Sequence, residues 1–427
     1  VLMISTCVAI LAVDFRAFPR AYAKAEVRGT GLMDVGVGAF MLAGGCTAAW
    51  RAAAAHAAAA NTLVVGSGGK QTQGLEVPVS WLARAARRLW AGVVQGAPCW
   101  VLWAGRLASV KSLNYQEHVG EYGVHWNFFA TVAVVASLAR VAPASGWRLV
   151  AAAVAVTVAH QAALTLGGLG AWAASDARDP TSWASLNKEG LTSLPGFLAA
   201  YLWGSVLGWA LHAVGTAALQ TDNTRTGHAH ASHAASTRPK SRSRSRPASA
   251  PRVRSRSRSR SRRRAGREQE QVQVPGSSRD VARGRRESRD QTQCSQIPAG
   301  SSQPVGMHAV WMVLGSLAVA DGMLWWLVAL LEAKVERVSR RTANAAYVVW
   351  IAALAVAVVG LLVLGQVMGS RGFQGQVTAP AVSRAMLPTF LAANLLTGAV
   401  NLYLGAGTLV VGDSAARAIV AVYMLCI

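Results

Sequence analysis

A chain of 427 residues with 52% hydrophobic and only 14% charged residues is too poor in charge for an ordinary soluble domain, where about 25% is usual. Its five cysteines, Cys7, Cys46, Cys99, Cys294 and Cys426, are scattered and odd in number with no C-x-x-C pair, which excludes a disulfide scaffold. The formal net charge is +23, but 20 of the 42 Lys/Arg and only 6 of the 19 Asp/Glu lie between Thr221 and Gly300. Most of the basicity therefore belongs to one segment. The chain starts at Val1 and stops at Ile427, each inside an apolar run. That predicts a piece lacking at least an N-terminal portion.

Apolar runs of about 17–25 residues read as membrane helices. In chain order, a truncated one covers 1–13. Complete ones follow at 32–52, 89–108, 126–145, 147–171, 194–215, 309–331, 345–367 and 387–411, and a last partial one occupies 415–427. The run Ala-Ala-Ala-Ala-His56-Ala-Ala-Ala-Ala either extends the 32–52 helix or is filler. Trp81, Trp90, Trp126, Trp147 and Trp172 stand near run ends, as interfacial anchors do. The expected fold is an all-α polytopic membrane protein, a bundle of about eight complete transmembrane helices plus two truncated terminal ones.

Residues 216–306 break the pattern with Ser-Arg repeats at 241–246 and 254–261. Such composition buries too little apolar surface to fold, and its like charges extend it. The expected organisation is thus two parts of a membrane core, 1–215 and 307–427, separated by a low-complexity Arg/Ser-rich loop, 216–306. An RNA-binding role for that loop lacks any accompanying nucleic-acid module, so no nucleic-acid partner is expected. By the positive-inside rule the loop belongs in the cytosol, with 61–88 and the turn near 140–148 on its side. Parity then puts 14–31, 109–125, 172–193 and 332–344 on the opposite face, and these four loops hold the chemistry.

The first contains Asp14, Pro19, Arg20 and Lys24. Pro19 forbids a straight helix between the carboxylate and the ammonium, so the two can meet and polarise a hydroxyl, Asp as base and Lys steadying the developing charge. A plain juxtamembrane charge cluster is the competing reading. The second runs Glu117-His118-Val-Gly-Glu121-Tyr122-Gly-Val-His125-Trp-Asn127. If helical, it puts His118, Tyr122 and His125 on one face and Glu121 four residues from His125, the usual setting for a proton shuttle. Zinc is not indicated, because H-E-x-x-H is missing. The third has Asn187, Lys188, Glu189 and then Pro195-Gly196, which fits a helix start with free N–H groups. The fourth carries Arg340, Arg341 and Asn344, and arginine suits a phosphate. His160 and His212, alone in apolar runs, read as structural. Asp34, Asp321, Asn394 and Asn401 fall inside spans and need partners there.

Several strings resemble one family. Ile10-Leu-Ala-Val-Asp14-Phe, Phe18-Pro-Arg20, Ala23-Lys24-Ala-Glu26 and Gly29-Thr-Gly-Leu-Met-Asp34 are similar to the signature of the PIG-W family, the glucosaminylphosphatidylinositol acyltransferases. The likeness returns at Glu121-Tyr-Gly-Val-His125-Trp-Asn127, at Asn187-Lys-Glu-Gly190, at Arg341 to Asn344, and at Asn394 to Asn401. It implies an endoplasmic-reticulum membrane enzyme that moves a fatty acyl chain, usually palmitoyl, from acyl-CoA to the inositol 2-hydroxyl of glucosaminylphosphatidylinositol. Acyl-CoA is then a co-substrate, no other cofactor is expected, and the motif loops are luminal. The family's acid–base pair carries over onto Asp14 and Lys24, with His125 as second choice of base. Arg20, Glu121, Asn127, Asn187, Arg341 and Asn344 are expected to bind substrate. Arg16 stands where members usually have Pro, and Ala21 where a second Arg is usual. A non-enzymatic lipid or solute transporter is the alternative, although no paired internal repeat supports it.

Overall fold

The computed structural model describes residues 2–65, 80–112, 119–236, 307–368, 386–405 and 411–427. Every regular element in them is a helix: α1 (Leu2–Ala12), α2 (Val35–Val65), α3 (Trp81–Gln95), α4 (Ala97–Ser112), α5 (Val119–Tyr122), α6 (Phe128–Ala139), α7 (Gly146–Thr165), α8 (Leu169–Ala174), α9 (Trp183–Leu186), α10 (Lys188–Ser236), α11 (Met307–Lys334), α12 (Ala345–Met368), α13 (Met386–Leu404) and α14 (Asp413–Cys426). Contacts group Val1–Gln220 with Met307–Ile427 as one unit. The other is Thr221–Gly306, of which the described part, 221–236, is helical.

Among the described residues, six helical stretches are long and apolar enough to cross a bilayer: Leu32–Ala59, Gly146–Thr165, Lys188–Thr216, Val310–Lys334, Ala345–Gly365 and Leu387–Leu404. The chain is an all-α polytopic membrane protein. Leu2–Ala12 and Phe128–Ala139 are apolar but shorter. At about 1.5 Å per residue, the 12 residues of α6 fall well short of a hydrocarbon core about 30 Å thick. The run at 89–108 forms parts of two helices that meet at Gly96. Pro98 has no N–H to donate to the preceding turn, so α3 stops and α4 begins anew. The alanine run does extend α2, which reaches Val65, as alanine's helix propensity allows. Pro195 does not open a helix. It lies inside α10, which starts seven residues earlier at Lys188.

The main core joins α2, α10 and α12 through Met41, Leu42, Phe197, Ala200, Tyr347 and Ile351. Helices α2 and α10 approach closely because small residues let them. A Cβ on Gly204 would stand 2.0 Å from the Leu42 carbonyl oxygen, and one on Gly208 2.2 Å from that of Cys46. The spacing Gly204-x-x-x-Gly208 is the membrane packing motif for such contact. Tyr347, fully buried, inserts its hydroxyl into the first turn of α2, accepting from Gly38 N–H at 3.0 Å and donating to Asp34 C=O at 2.8 Å. A second core packs Cys7, Leu11 and Phe15 against Ala393 of α13 and Val420 and Tyr423 of α14.

Candidate functional site

A cavity of about 740 Å³ opens among α1, the start of α2, α4, the start of α6, and α13. Its size lies in the range of small-molecule sites. The walls are apolar: Met3 and Ile10 from α1, Val101 and Leu102 from α4, Leu391 and Leu395 from α13. Phe40, Phe128 and Phe390 line it as a three-ring cluster, with centroids 5.3 Å, 5.1 Å and 6.4 Å apart pairwise. The polar lining comes chiefly from Lys24, Glu121, Tyr122, Arg340 and Arg106.

These polar groups are tied together. Glu121 bonds the Lys24 ammonium and lies 3.5 Å from Arg340 Nη2. Arg340 Nε donates to Asp34 Oδ1 at 2.9 Å, and Asp34 Oδ2 accepts the backbone N–H groups of Ala25 and Gly31 at 2.9 Å each. A carboxylate at the head of α2 thus folds the 23–31 loop over the helix start and holds a guanidinium beside it. Burial opposes the charge on Arg340, but the carboxylates of Glu121 and Asp34 outweigh it and raise its pKa further. Burial also pushes the Tyr122 phenol far up, so it is a neutral donor at working pH.

Lys24, Glu121 and Asn127 line this cavity; Asp14, Arg20, His125, Asn187, Arg341 and Asn344 do not belong to its lining. Lys24 pairs with Glu121 and not with Asp14. Asp14 Oδ2 takes the Asn401 side-chain amide at 2.9 Å. Arg20 caps the Val13 carbonyl at 3.1 Å. The helix pictured through 118–125 ends at Tyr122, because Gly123 turns the chain at φ 108°. A Cβ there would meet Asn187 Cα at 2.5 Å. His125 therefore leaves the face of Tyr122; His118 lies outside the described residues. The His125 Nδ1 is buried and unpartnered among the described residues, while its backbone N–H donates to Asn187 Oδ1 at 2.7 Å.

The asparagines are spent on backbone. Asn127 Oδ1 accepts from Phe129 and Ala130 N–H and so caps α6, as N-cap asparagine does. Asn344 Oδ1 accepts from Ser339 and Tyr347 N–H before α12. Asn187 Nδ2 donates to Trp183 C=O. Arg341 points away from its neighbour Arg340, to Glu189 Oε1 at 3.0 Å and the Ala173 carbonyl at 2.9 Å. Glu189 also receives Arg178 at 2.5 Å, and buried Lys188 closes the same loop through Ser175 and Ala177 carbonyls. His160 Nε2 bonds the Thr342 carbonyl at 2.9 Å, a structural use. Sequence reasoning named Arg340 and Tyr122 in their loops but did not count them among the site residues; the signal for Arg340 was Asp34, which needed a partner inside the bundle.

Among the described residues no group of three or more His, Cys, Asp or Glu stands ready for a metal. The family model described as GWT1 matches residues 1–427. The "GPI-anchored wall transfer protein 1" of Aspergillus fumigatus is 38% identical over 219 residues, 51% of this chain and 40% of that protein. The protein of the same name from Schizosaccharomyces pombe is 36% identical over 215 residues, 48% of this chain and 39% of its own length. The "Uncharacterized protein At4g17910" of Arabidopsis thaliana is 29% identical over 403 residues, 94% of this chain and 64% of that one. The matches thus span about two-fifths of the fungal relatives' length.

Proposed function

This chain belongs to the GWT1 family, and on that premise we propose that it carries the acyl-transfer core of GPI-anchor biosynthesis. The reaction moves a fatty acyl chain such as palmitoyl from acyl-CoA to the inositol 2-hydroxyl of glucosaminylphosphatidylinositol in the endoplasmic-reticulum membrane. The observation that carries this reading is the cavity: apolar aromatic walls for an acyl chain, with Lys24, Tyr122 and Arg340 at its polar lining. Two amphiphiles need such a site, greasy along its length and charged where the chemistry occurs.

In acyl transfer the inositol 2-hydroxyl oxygen attacks the thioester carbonyl, a C–O bond forms, and the C–S bond breaks to release CoA thiol. The enzyme must accept the hydroxyl proton and stabilise the tetrahedral oxyanion. The Lys24 ammonium and the neutral Tyr122 hydroxyl are the donors for that oxyanion in this proposal. Asp14 is the base, and it passes the proton to the departing sulfur. Asp14 stands in the turn after α1 and takes the side chain of Asn401, which follows the wall residue Asn394 by seven positions on α13, a spacing that continues one helical face. His125, with its unpartnered Nδ1, is the second choice. Glu121 and Asn127 face substrate, whereas Arg20, Asn187, Arg341 and Asn344 hold the loops that position them. Arg106 at the lining adds positive charge for a phosphate.

The proposed topology has the six long spans, with α4 and α6 as shorter crossings between them and α1 and α14 as the terminal ones, the motif loops luminal and residues 216–306 cytosolic. The test is an assay of membranes carrying the chain, supplied with palmitoyl-CoA and glucosaminylphosphatidylinositol. Acyl-inositol product is expected. Its absence from a folded, membrane-inserted chain, where a longer relative assayed alongside makes it, overturns the reading.

A further inference from the structure

Helix α3 takes no part in the cavity lining, yet its surface is sharply divided. On a 100° per residue wheel, Arg84, Arg87, Arg88 and Gln95 share one arc, and Leu82, Ala86, Leu89 and Val93 fill the opposite one. Trp81 and Trp90 fall on the two borders between these arcs. Only the C-terminal end of α3 is packed. Gly92 is buried against Ser137, where a Cβ would meet Ser137 Cα at 2.7 Å, and Gln95 bonds Arg140. Ser137 and Arg140 close α6, so residues 81–91 lie past its end, and none of them is buried. Trp81 and Trp90 are each 70% exposed and Leu82 61%. Among the described residues no carboxylate pairs with Arg84, Arg87 or Arg88.

An apolar arc in water is costly, and three neighbouring guanidiniums repel without an anion. A soluble acidic partner would satisfy the charges but leave the apolar arc facing water. A lipid leaflet satisfies both at once, since its acyl boundary takes the leucines and its phosphates take the arginines. Tryptophan at the borders is what that interface selects. The place is right as well. Arg140 at the end of α6 lies beside α3. Trp147, which is 77% exposed, follows with Arg148 in the first turn of the membrane-spanning α7, and the first turn of a span lies at the bilayer surface. We propose that α3 is an interfacial helix that seats its Leu82–Leu89 face in the bilayer and binds anionic phospholipid headgroups through Arg84, Arg87 and Arg88. Through Gly96 it also anchors α4, which supplies Val101, Leu102 and Arg106 to the cavity.

The test titrates the whole chain, in neutral detergent micelles, with phosphatidylserine or phosphatidylcholine and reads binding by native mass spectrometry. A basic residue near an anionic surface changes binding about fivefold, so three together change it about a hundredfold. The triple variant Arg84→Gln, Arg87→Gln, Arg88→Gln should lose the preference for phosphatidylserine by that factor, and the triple Lys variant should keep most of it. Should the triple Gln chain fail to fold, Arg84→Gln and Arg88→Gln alone should each lose about fivefold. Amide exchange over 81–95 should slow in phosphatidylserine nanodiscs relative to phosphatidylcholine ones. An unchanged preference in the Gln variants, or its abolition by free inorganic phosphate, overturns the proposal.

Discussion

Replacing Asp34 with asparagine tests the polar network at its deepest point. The Asp34 side chain is fully buried; one oxygen takes Arg340 Nε at 2.9 Å and the other takes two backbone N–H groups. Arg340 is itself only 7% exposed, so water screens little of this pair. The amide keeps the shape but offers a single acceptor oxygen. With that oxygen on Ala25 and Gly31, its NH₂ group opposes the Arg340 donor; turned over, it opposes both N–H groups. Breaking a buried pair by removing one partner costs about 3–5 kcal/mol. The first orientation saves the backbone bonds, so Asp34→Asn should fall near ~3 kcal/mol. Asp34→Ala also strands two buried N–H groups at ~1–3 kcal/mol each and should exceed ~5 kcal/mol. Removing both charges relieves the penalty, so Asp34→Asn with Arg340→Met should be milder than the two single changes summed. Reversible unfolding in mixed micelles measures these differences. An Asp34→Asn chain within ~1 kcal/mol of the parent would refute the reasoning, since no buried pair would then hold the 23–31 loop to the loop before α12.

Asp14→Asn and Lys24→Ala should each reduce acyl transfer by ~10²–10⁴-fold at unchanged protein level. If the residues act as one unit, the double change should be little worse than either alone. Product formation per folded chain is the readout, and near-normal turnover in Asp14→Asn moves the base to His125. Gly204→Ala should cost ~1–3 kcal/mol by forcing α2 from α10, whereas Gly215→Ala, with open space around its Cβ, should cost nothing measurable by the same unfolding assay. Because burial raises the Tyr122 pKa, its contribution is fully present below the ordinary tyrosine value near ~10 and is lost as pH rises beyond it. Tyr122→Phe should therefore show a shallower fall in stability above about pH 10; an identical alkaline slope counts against a buried phenol.

Much of the architecture follows from composition alone. A backbone in lipid must satisfy its own polar groups, so long apolar runs have little choice but helix, and α2, α7, α10, α11, α12 and α13 all fall on runs recognisable in the chain. Charged residues inside or beside such runs are conspicuous for the same reason, which is why Asp14, Lys24, Asp34 and Glu121 stood out. Helix breaks inside a run were less legible: α3 and α4 part at Gly96 through a proline's missing donor, and Gly123 ends α5 to let Asn187 approach. What only the tertiary structure decided is which charges meet. Lys24 finds Glu121 across 97 residues and Asp34 finds Arg340 across 306, while the adjacent Arg340 and Arg341 turn to different carboxylates. Periodicity orders residues along one element but carries no record of which elements will pack. Those pairings are set when α2, α10 and α12 close on Gly204, Gly208 and Tyr347, and a buried charge takes the counter-charges that packing brings within reach.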